Sequence, residues 1–223
     1  MNPRNTGEVT KAVVFEAFAD VVKTMASGRR LELIELLAQG EHAVESLARM
    51  TGMAITTTSS NLQILRQAGL VATRRERTTI YYRLAGDDVA ELYLAAKRVG
   101  LRRDPRLRDA VGAYLGAADG GEGGPSIDPA AVTADMTVID VRPGIEFDAG
   151  HFPGALSIPM AELQQRYPEI PSGAEVVVYC RGELCRLARE AAAWLRRRGV
   201  DAKAMNEGVI EWRATKQVSL DVA

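Results

Sequence analysis

The sequence predicts a two-domain protein, a mainly α-helical unit ending in a β-hairpin followed by an α/β unit on a mostly parallel sheet. Three observations carry this. Residues 116–126 read GAADGGEGGPS, with five glycines, one proline and no large apolar side chain. Such a segment cannot bury enough surface to fold alone and reads as a flexible tether with a root-mean-square span of about 18 Å. Before it, apolar residues recur at helical spacing; after it, short apolar runs alternate with helical stretches, the rhythm of a helix-covered parallel sheet. The expected boundaries are residues 8–115, a linker over 116–126, and residues 127–223.

In the first unit Phe15, Phe18, Val22 and Met25 lie on one helix face, and Leu31, Ile34 and Leu37 on a second helix that Gly40 ends. Two shorter helices are expected near Val44–Met50 and Thr56–Ala68, separated by a turn at Gly52. Strands follow at Leu70–Arg74 and Thr79–Leu84 around the turn RERT, then one long helix over Asp87–Leu115. In the second unit strands are expected at Thr137–Val141, Ala155–Ile158, Glu175–Tyr179 and Asp201–Met205. Helical segments near Met160–Tyr167, Cys185–Arg198 and Glu207–Thr215 separate them.

The formal net charge of −1 conceals an asymmetry. Through Ala118 there are 17 Lys and Arg against 13 Asp and Glu, or +4; the remainder has 11 against 16, or −5. A basic and an acidic half imply different partners for each. No run approaches the ~18 apolar residues of a membrane span, and Met1–Thr10 is polar, without the apolar core of a secretion signal. A cytoplasmic protein with no membrane partner is therefore expected. The two cysteines, Cys180 and Cys185, are too few and too close for a secreted disulfide framework and read as reactive or regulatory.

Helix, glycine turn, helix and hairpin form the winged helix-turn-helix arrangement, which reads double-stranded DNA with its second helix in the major groove. On that helix Thr57, Thr58, Ser59, Asn61, Gln63 and Arg66 are candidates for base edges and phosphates. Arg74, Arg75 and Arg77, placed at the hairpin tip, are candidates for the phosphates or the adjacent minor groove. Taken singly, a Ser/Thr-rich helix start is also a capping region and an arginine-rich hairpin also a solvated turn. Their order within one 30-residue stretch, with LRQAGLV between them, favours DNA. The segments SGRRLELIELLAQG, VESLARMTGM, LQILRQAGLV and RRERTTIYYRL resemble the ArsR family of winged-helix repressors. The resemblance implies a homodimer, built from the first and last helices, on a pseudo-palindromic operator. The metal-sensing cysteines of its best-known members do not carry over. The first unit has no cysteine, and its one histidine, His42, is read as a surface or turn residue. No metal or cofactor is expected.

Cys180 follows the apolar run EVVVY and precedes a helix, the carboxyl end of a parallel strand where open α/β sheets place ligands. Backbone N–H groups of the loop Arg181, Gly182, Glu183, Leu184, Cys185, the following helix N-terminus, and the guanidiniums of Arg181 and Arg186 would favour a thiolate or persulfide anion. A buried inert thiol is the plainer reading of Cys180; a zinc site from a lone C-x4-C is poor. The blocks VIDVRPGIEFDAGHFPGALSIP, VVVYCRGELCR and NEGVIEW resemble a rhodanese domain. That resemblance implies that Cys180 accepts sulfane sulfur from a small donor (thiosulfate, polysulfide or persulfide) and passes it to a thiol acceptor. It makes residues 181–185 the anion-binding loop, Asp140 and Arg142 its support, and His151 a structural turn residue. Cys185 becomes a redox partner able to attack a Cys180 persulfide. Arg186 also completes C-x5-R, the oxyanion-binding signature of cysteine phosphatases and rhodanese-fold arsenate reductases, so an enzyme of that kind is the alternative.

Overall fold

The computed structural model describes residues 9–116 and 124–223. Most of the tether expected at 116–126 therefore lies outside the described residues. The first domain comprises α1 (Lys11–Met25), α2 (Gly28–Leu37), β1 (His42–Ala43), α3 (Val44–Thr51), α4 (Ile55–Gln67), β2 (Val71–Glu76), β3 (Thr79–Leu84), α5 (Asp87–Arg103) and α6 (Pro105–Gly116). Gly52, with φ 67°, supplies the left-handed turn between α3 and α4. Leu33, Ile34, Leu47, Leu62 and Leu65, all fully buried, join α2, α3 and α4 in one core. The strands pair antiparallel in the order β1-β3-β2.

Two expectations are corrected here. The single helix expected over Asp87–Leu115 is two, because Pro105 pushes Asp104 out of helical backbone (φ −108°, ψ 106°). Arg108 then turns back to donate to the carbonyls of Leu101 and Arg102, at 3.2 Å each. His42 is no surface residue. It is 4 % exposed, paired opposite Tyr82 in the small sheet, and burial lowers its pKa.

The second domain comprises β4 (Ser126–Ile127), β5 (Thr137–Asp140), α7 (Gly144–Asp148), β6 (Leu156–Ser157), α8 (Leu163–Arg166), β7 (Val176–Tyr179), α9 (Leu187–Arg196), β8 (Ala202–Met205) and α10 (Val209–Thr215). Its five strands are all parallel, in the order β4-β8-β7-β5-β6. β7 is central and wholly buried, as a run of Val-Val-Val-Tyr under helices on both faces should be. Ser126, expected to end the linker, already pairs with Ala204 in this sheet.

The two domains are packed together. α10 lies along α5, and Ile210, 1 % exposed, belongs to the core of the first domain. Burying an isoleucine side chain stabilises by about 1.5–3 kcal/mol. α1 is the opposite case. Phe15 and Phe18 are 58 % and 64 % exposed, Val13, Val14 and Val22 are exposed beside them, and of the whole helix only Met25 is buried. Among the described residues no helix is long and apolar enough to cross a membrane.

Candidate functional site

The cysteine loop starts where β7 ends. Cys180 is 2 % exposed, Cys185 half-buried, and the two are joined in a disulfide with their Cα atoms 6.2 Å apart. The loop is tight enough that Gly182 has no room for a side chain: a Cβ there would lie 2.7 Å from Ile210 Cγ2 and 2.9 Å from Glu211 Oε2. Gly208 is as constrained, since a Cβ would collide with the Cys180 carbonyl and the Gly182 amide. Cys185 N–H donates to the Gly182 carbonyl at 2.9 Å and closes the turn, and α9 begins only at Leu187.

Support for the loop comes from buried polar groups. Asp140 and Arg142, both 0 % exposed, pair at 2.6 Å; Tyr179 Oη donates to Asp140 Oδ2 at 2.6 Å, and Arg142 Nη2 donates to the Gly150 carbonyl at 2.7 Å. Burial, helped by the Asp140 charge, pushes the Tyr179 phenol far above its ordinary range, so it stays a donor. Arg181 is held by Glu146, a fully buried carboxylate, through bonds of 2.7 and 2.9 Å. His151 Nδ1 lies 3.0 Å from the Phe147 carbonyl and its ring stacks on Phe147, the arrangement of a turn residue.

The first domain reaches into this loop through Gln39, which sequence reasoning did not single out, and through Lys97 of the basic helix. Gln39, 0 % exposed at the end of α2, donates through Nε2 to the Arg181 carbonyl at 3.2 Å. Its Oε1 accepts from Arg142 Nη1 at 3.1 Å. Lys97 on α5, its side chain 8 % exposed, pairs with Glu183 at 2.9 Å and with Glu211 at 2.5 Å. Glu211 also accepts from the Gly208 and Glu183 amides, at 3.0 and 3.4 Å. Burial alone would lower the pKa of Lys97, but the two carboxylates outweigh it and the net shift is upward. From its charge, the basic helix segment Lys97–Arg108 is expected to receive the acidic second domain, and its first residue, Lys97, makes that contact here.

Arg186 is placed differently from an oxyanion clamp. Its Nη2 pairs with Glu190 at 3.1 Å, and its guanidinium lies 5.3 Å over the Tyr114 ring of α6. A guanidinium engaged by a carboxylate one turn along α9 and by an aromatic face of α6 is directed along the helix and toward the first domain. That departs from the C-x5-R expectation.

On the recognition helix α4, Thr57 and Arg66 are exposed and Ser59 and Asn61 half-exposed. Asn61 Nδ2 donates to the Thr57 carbonyl at 2.9 Å. Thr58 is corrected: it is 0 % exposed and its hydroxyl donates to the Ala54 carbonyl, because it falls on the core side with Leu62 and Leu65. Gln63 is tied inward, donating to Tyr82 Oη at 3.0 Å. Exposed Thr56 and Ser60, four apart on the outer face, were missed, although the helical spacing from Thr58 points to them. β2 runs on to Glu76, so Arg74 and Arg75 stand on the strand and only Arg77, with φ 53°, sits in the turn. Arg74 is engaged by Glu41 at 2.6 Å and Glu76 at 2.8 Å; Arg75 and Arg77 are exposed.

The pattern of the family described as bacterial regulatory protein, arsR family, matches residues 27–73, and that of the rhodanese-like domain residues 128–215. The chain is 42 % identical over 206 residues to HTH-type transcriptional regulator Rv0324 of Mycobacterium tuberculosis, spanning 91 % of this chain and 90 % of that one. This chain belongs to the ArsR family of regulators, in a form carrying a rhodanese-like second domain. Within the first domain it is 40 % identical over 93 residues to a biofilm growth-associated repressor of Agrobacterium fabrum, covering 40 % of this chain and 80 % of that one. A solved homodimeric winged helix-turn-helix DNA-binding domain from Mycobacterium bovis is 44 % identical, with a TM-score of 0.40, covering 48 % of this chain and 93 % of its own. In this ArsR-family chain no three His, Cys, Asp or Glu side chains among the described residues are grouped to hold a metal ion.

Proposed function

We propose that this regulator is a DNA-binding repressor, acting as a homodimer, whose rhodanese-like domain senses reactive sulfur through Cys180 with Cys185 as its redox partner. The observation that carries this reading is the joining of the two cysteines within a loop gripped by Gln39 and Lys97 of the DNA-binding domain. A Cys180 thiolate would take the terminal sulfane sulfur of a polysulfide, leaving a persulfide and a donor one sulfur shorter. Cys185 would then attack Cys180 Sγ, forming the disulfide and expelling hydrosulfide. Dithiol and disulfide are two covalent states of one loop in direct contact with α2 and α5.

Two further features support the reading. The uncovered Phe15 and Phe18 of α1 suit burial against a second copy. Thr56, Thr57, Ser60 and Arg66 on α4, with Arg75 and Arg77 on the wing, offer one exposed polar and basic surface to a duplex. The oxyanion-reductase alternative is disfavoured because Glu190 and Tyr114 engage the Arg186 guanidinium. The test is a titration of operator DNA at fixed salt with reduced, polysulfide-treated and polysulfide-treated Cys185→Ser protein. A change of about 5- to 150-fold is expected between reduced and treated wild type, and none for the variant. Equal affinity in all three would leave the second domain an enzyme carried on a repressor.

A further inference from the structure

A cleft of about 400 Å3 opens between the domains, and Cys185 and Glu35 both line it. Cys180 is closed off at 2 % exposure, so this cleft is where the cysteine pair meets solvent. The other charged groups on its walls are already committed. Arg181 is bound by Glu146, Arg186 by Glu190, and Glu32 by Arg29 at 3.3 Å. Tyr114 lies under Arg186. Glu35 makes no ion pair among the described residues. It also lines a second, apolar cavity of about 380 Å3 on the other side of Leu184, with Leu31, Tyr93 and Lys97. A carboxyl thus stands between two cavities flanking the cysteine loop, contributed by the DNA-binding domain.

We propose that Glu35 accepts the proton of Cys185 when that thiol attacks a persulfide on Cys180. The inference rests on the sulfur-sensing reading above and names the group that performs its second step. The step balances without an outside oxidant. Cys185 gives its S–H proton to the Glu35 carboxylate, directly or through one water in the cleft. Its sulfur pair forms the bond to Cys180 Sγ, the bond from Sγ to the terminal sulfur breaks, and the terminal sulfur, which takes a proton from water, departs as hydrosulfide. The sulfane sulfur is reduced to sulfide as the two cysteines are oxidised. Glu35 then loses its proton to solvent.

The surroundings of Glu35 suit that task. Burial pushes its pKa up to about 7, reinforced by Glu211 and Glu32 and opposed by Lys97 and Arg181. Tyr93, the neighbouring titratable group on α5, is held well above its ordinary range by burial and stays neutral. An acid with a midpoint near neutrality is the strongest base still deprotonated at that pH, the condition for efficient proton transfer. An unperturbed thiol has a pKa of about 8.5 and is mostly protonated at neutral pH, the condition in which a neighbouring base speeds its attack.

The test loads full-length reduced protein with one equivalent of inorganic polysulfide and follows hydrosulfide release by stopped flow between pH 5.5 and 9.5. Wild type should show release rising through a midpoint near 7. Glu35→Gln should slow release at pH 7 by about 100-fold and move the midpoint to the thiol's own ionisation, while loading of Cys180 by mass spectrometry is unchanged. Glu35→Asp should keep a midpoint near that of wild type with a lower plateau, and it decides the matter should the glutamine variant not fold. Release by Glu35→Gln with the wild-type rate and midpoint, or an undiminished plateau in Glu35→Asp, overturns the role of Glu35 and leaves the sensor standing. No release from wild type overturns both.

Discussion

Replacing Lys97 by methionine keeps the length of the side chain and removes its charge. Glu211, its side chain 5 % exposed, would then sit beside the half-buried Glu183 with no cation between them. Removing one partner of a buried ion pair is destabilising by about 3–5 kcal/mol, because the other charge stays behind. Glu211 retains the Gly208 and Glu183 amides as donors, which places the expected loss at the lower end, about 3 kcal/mol. For a chain of this length that lowers the melting temperature by roughly 6–12 °C. The loss should depend on pH. A buried carboxylate left without its cation is penalised for its charge, and acid relieves that penalty, so the loss should be larger at high pH than at low pH.

The assay is thermal and urea unfolding of full-length Lys97→Met at pH 5 and pH 8, beside Glu211→Gln and the double variant. The single variant should lose more at pH 8 than at pH 5, and the double variant should recover at least half of the loss. A loss under about 1 kcal/mol, equal at the two pH values, would refute the buried charge cluster as the bond between the domains.

Further outcomes follow from other sites. Cys180→Ser should abolish sulfur uptake from polysulfide, whereas Cys185→Ser should hold a stable persulfide detectable as a 32 Da addition, roughly one sulfur atom; uptake lost equally in both would mean the thiols act as one unit. Arg75→Ala should weaken operator binding for all sequences alike and flatten the log–log salt dependence by up to about one unit, measured by fluorescence anisotropy across salt; an unchanged slope would take the wing off the phosphates. Glu35→Gln should stabilise the protein at pH 8 but not at pH 4, since a carboxyl raised from 4.5 to about 7 makes stability fall as pH climbs between those values. The gain is at most about 3 kcal/mol, reduced by whatever water reaches the cleft; an equal effect at both pH values would deny the shift.

The order of elements was legible because each domain repeats a simple period: Leu33, Ile34 and Leu37 on a helix, Val176–Tyr179 on a buried strand. The place of Cys180 was legible for the same reason, at the end of such a strand. Asp104–Pro105 was visible too, but apolar periodicity on both sides of it favoured one helix, and the local steric rule won. Thr58 was misplaced by weighing composition above phase. The docking of the second domain on the basic helix that starts at Lys97 was legible from the opposite charges of the two halves, but its individual partners were not. Glu35, Gln39 and Glu211 carry no signal in their own helices, and their surroundings are made by residues about 100 or more positions away in sequence. Periodicity within one element carries no trace of that.

A glycine-rich tether argues against transmission of force from one domain to the other, yet the tether is not the route the structure offers. From the Arg181 carbonyl the path runs through Gln39 to the end of α2, whose Leu33 and Ile34 pack in the same core as Leu62 and Leu65 of the recognition helix. From Glu183 it runs through Lys97 to α5. Contacts of this kind transmit only if something in them has two stable arrangements. A cysteine pair has two by its chemistry, and only the disulfide ties together the ends of the loop that carries the Arg181 carbonyl and the Glu183 carboxylate. Moving either atom by an ångström breaks a bond to a partner that is almost fully buried, a loss of about 0.5–1.5 kcal/mol, and about 1.5–3 kcal/mol where a charge takes part. That equals the usual size of an allosteric coupling. Under the proposed sulfur chemistry, no change in how the domains are tethered is needed to alter the first domain; making or breaking either of those two bonds is enough.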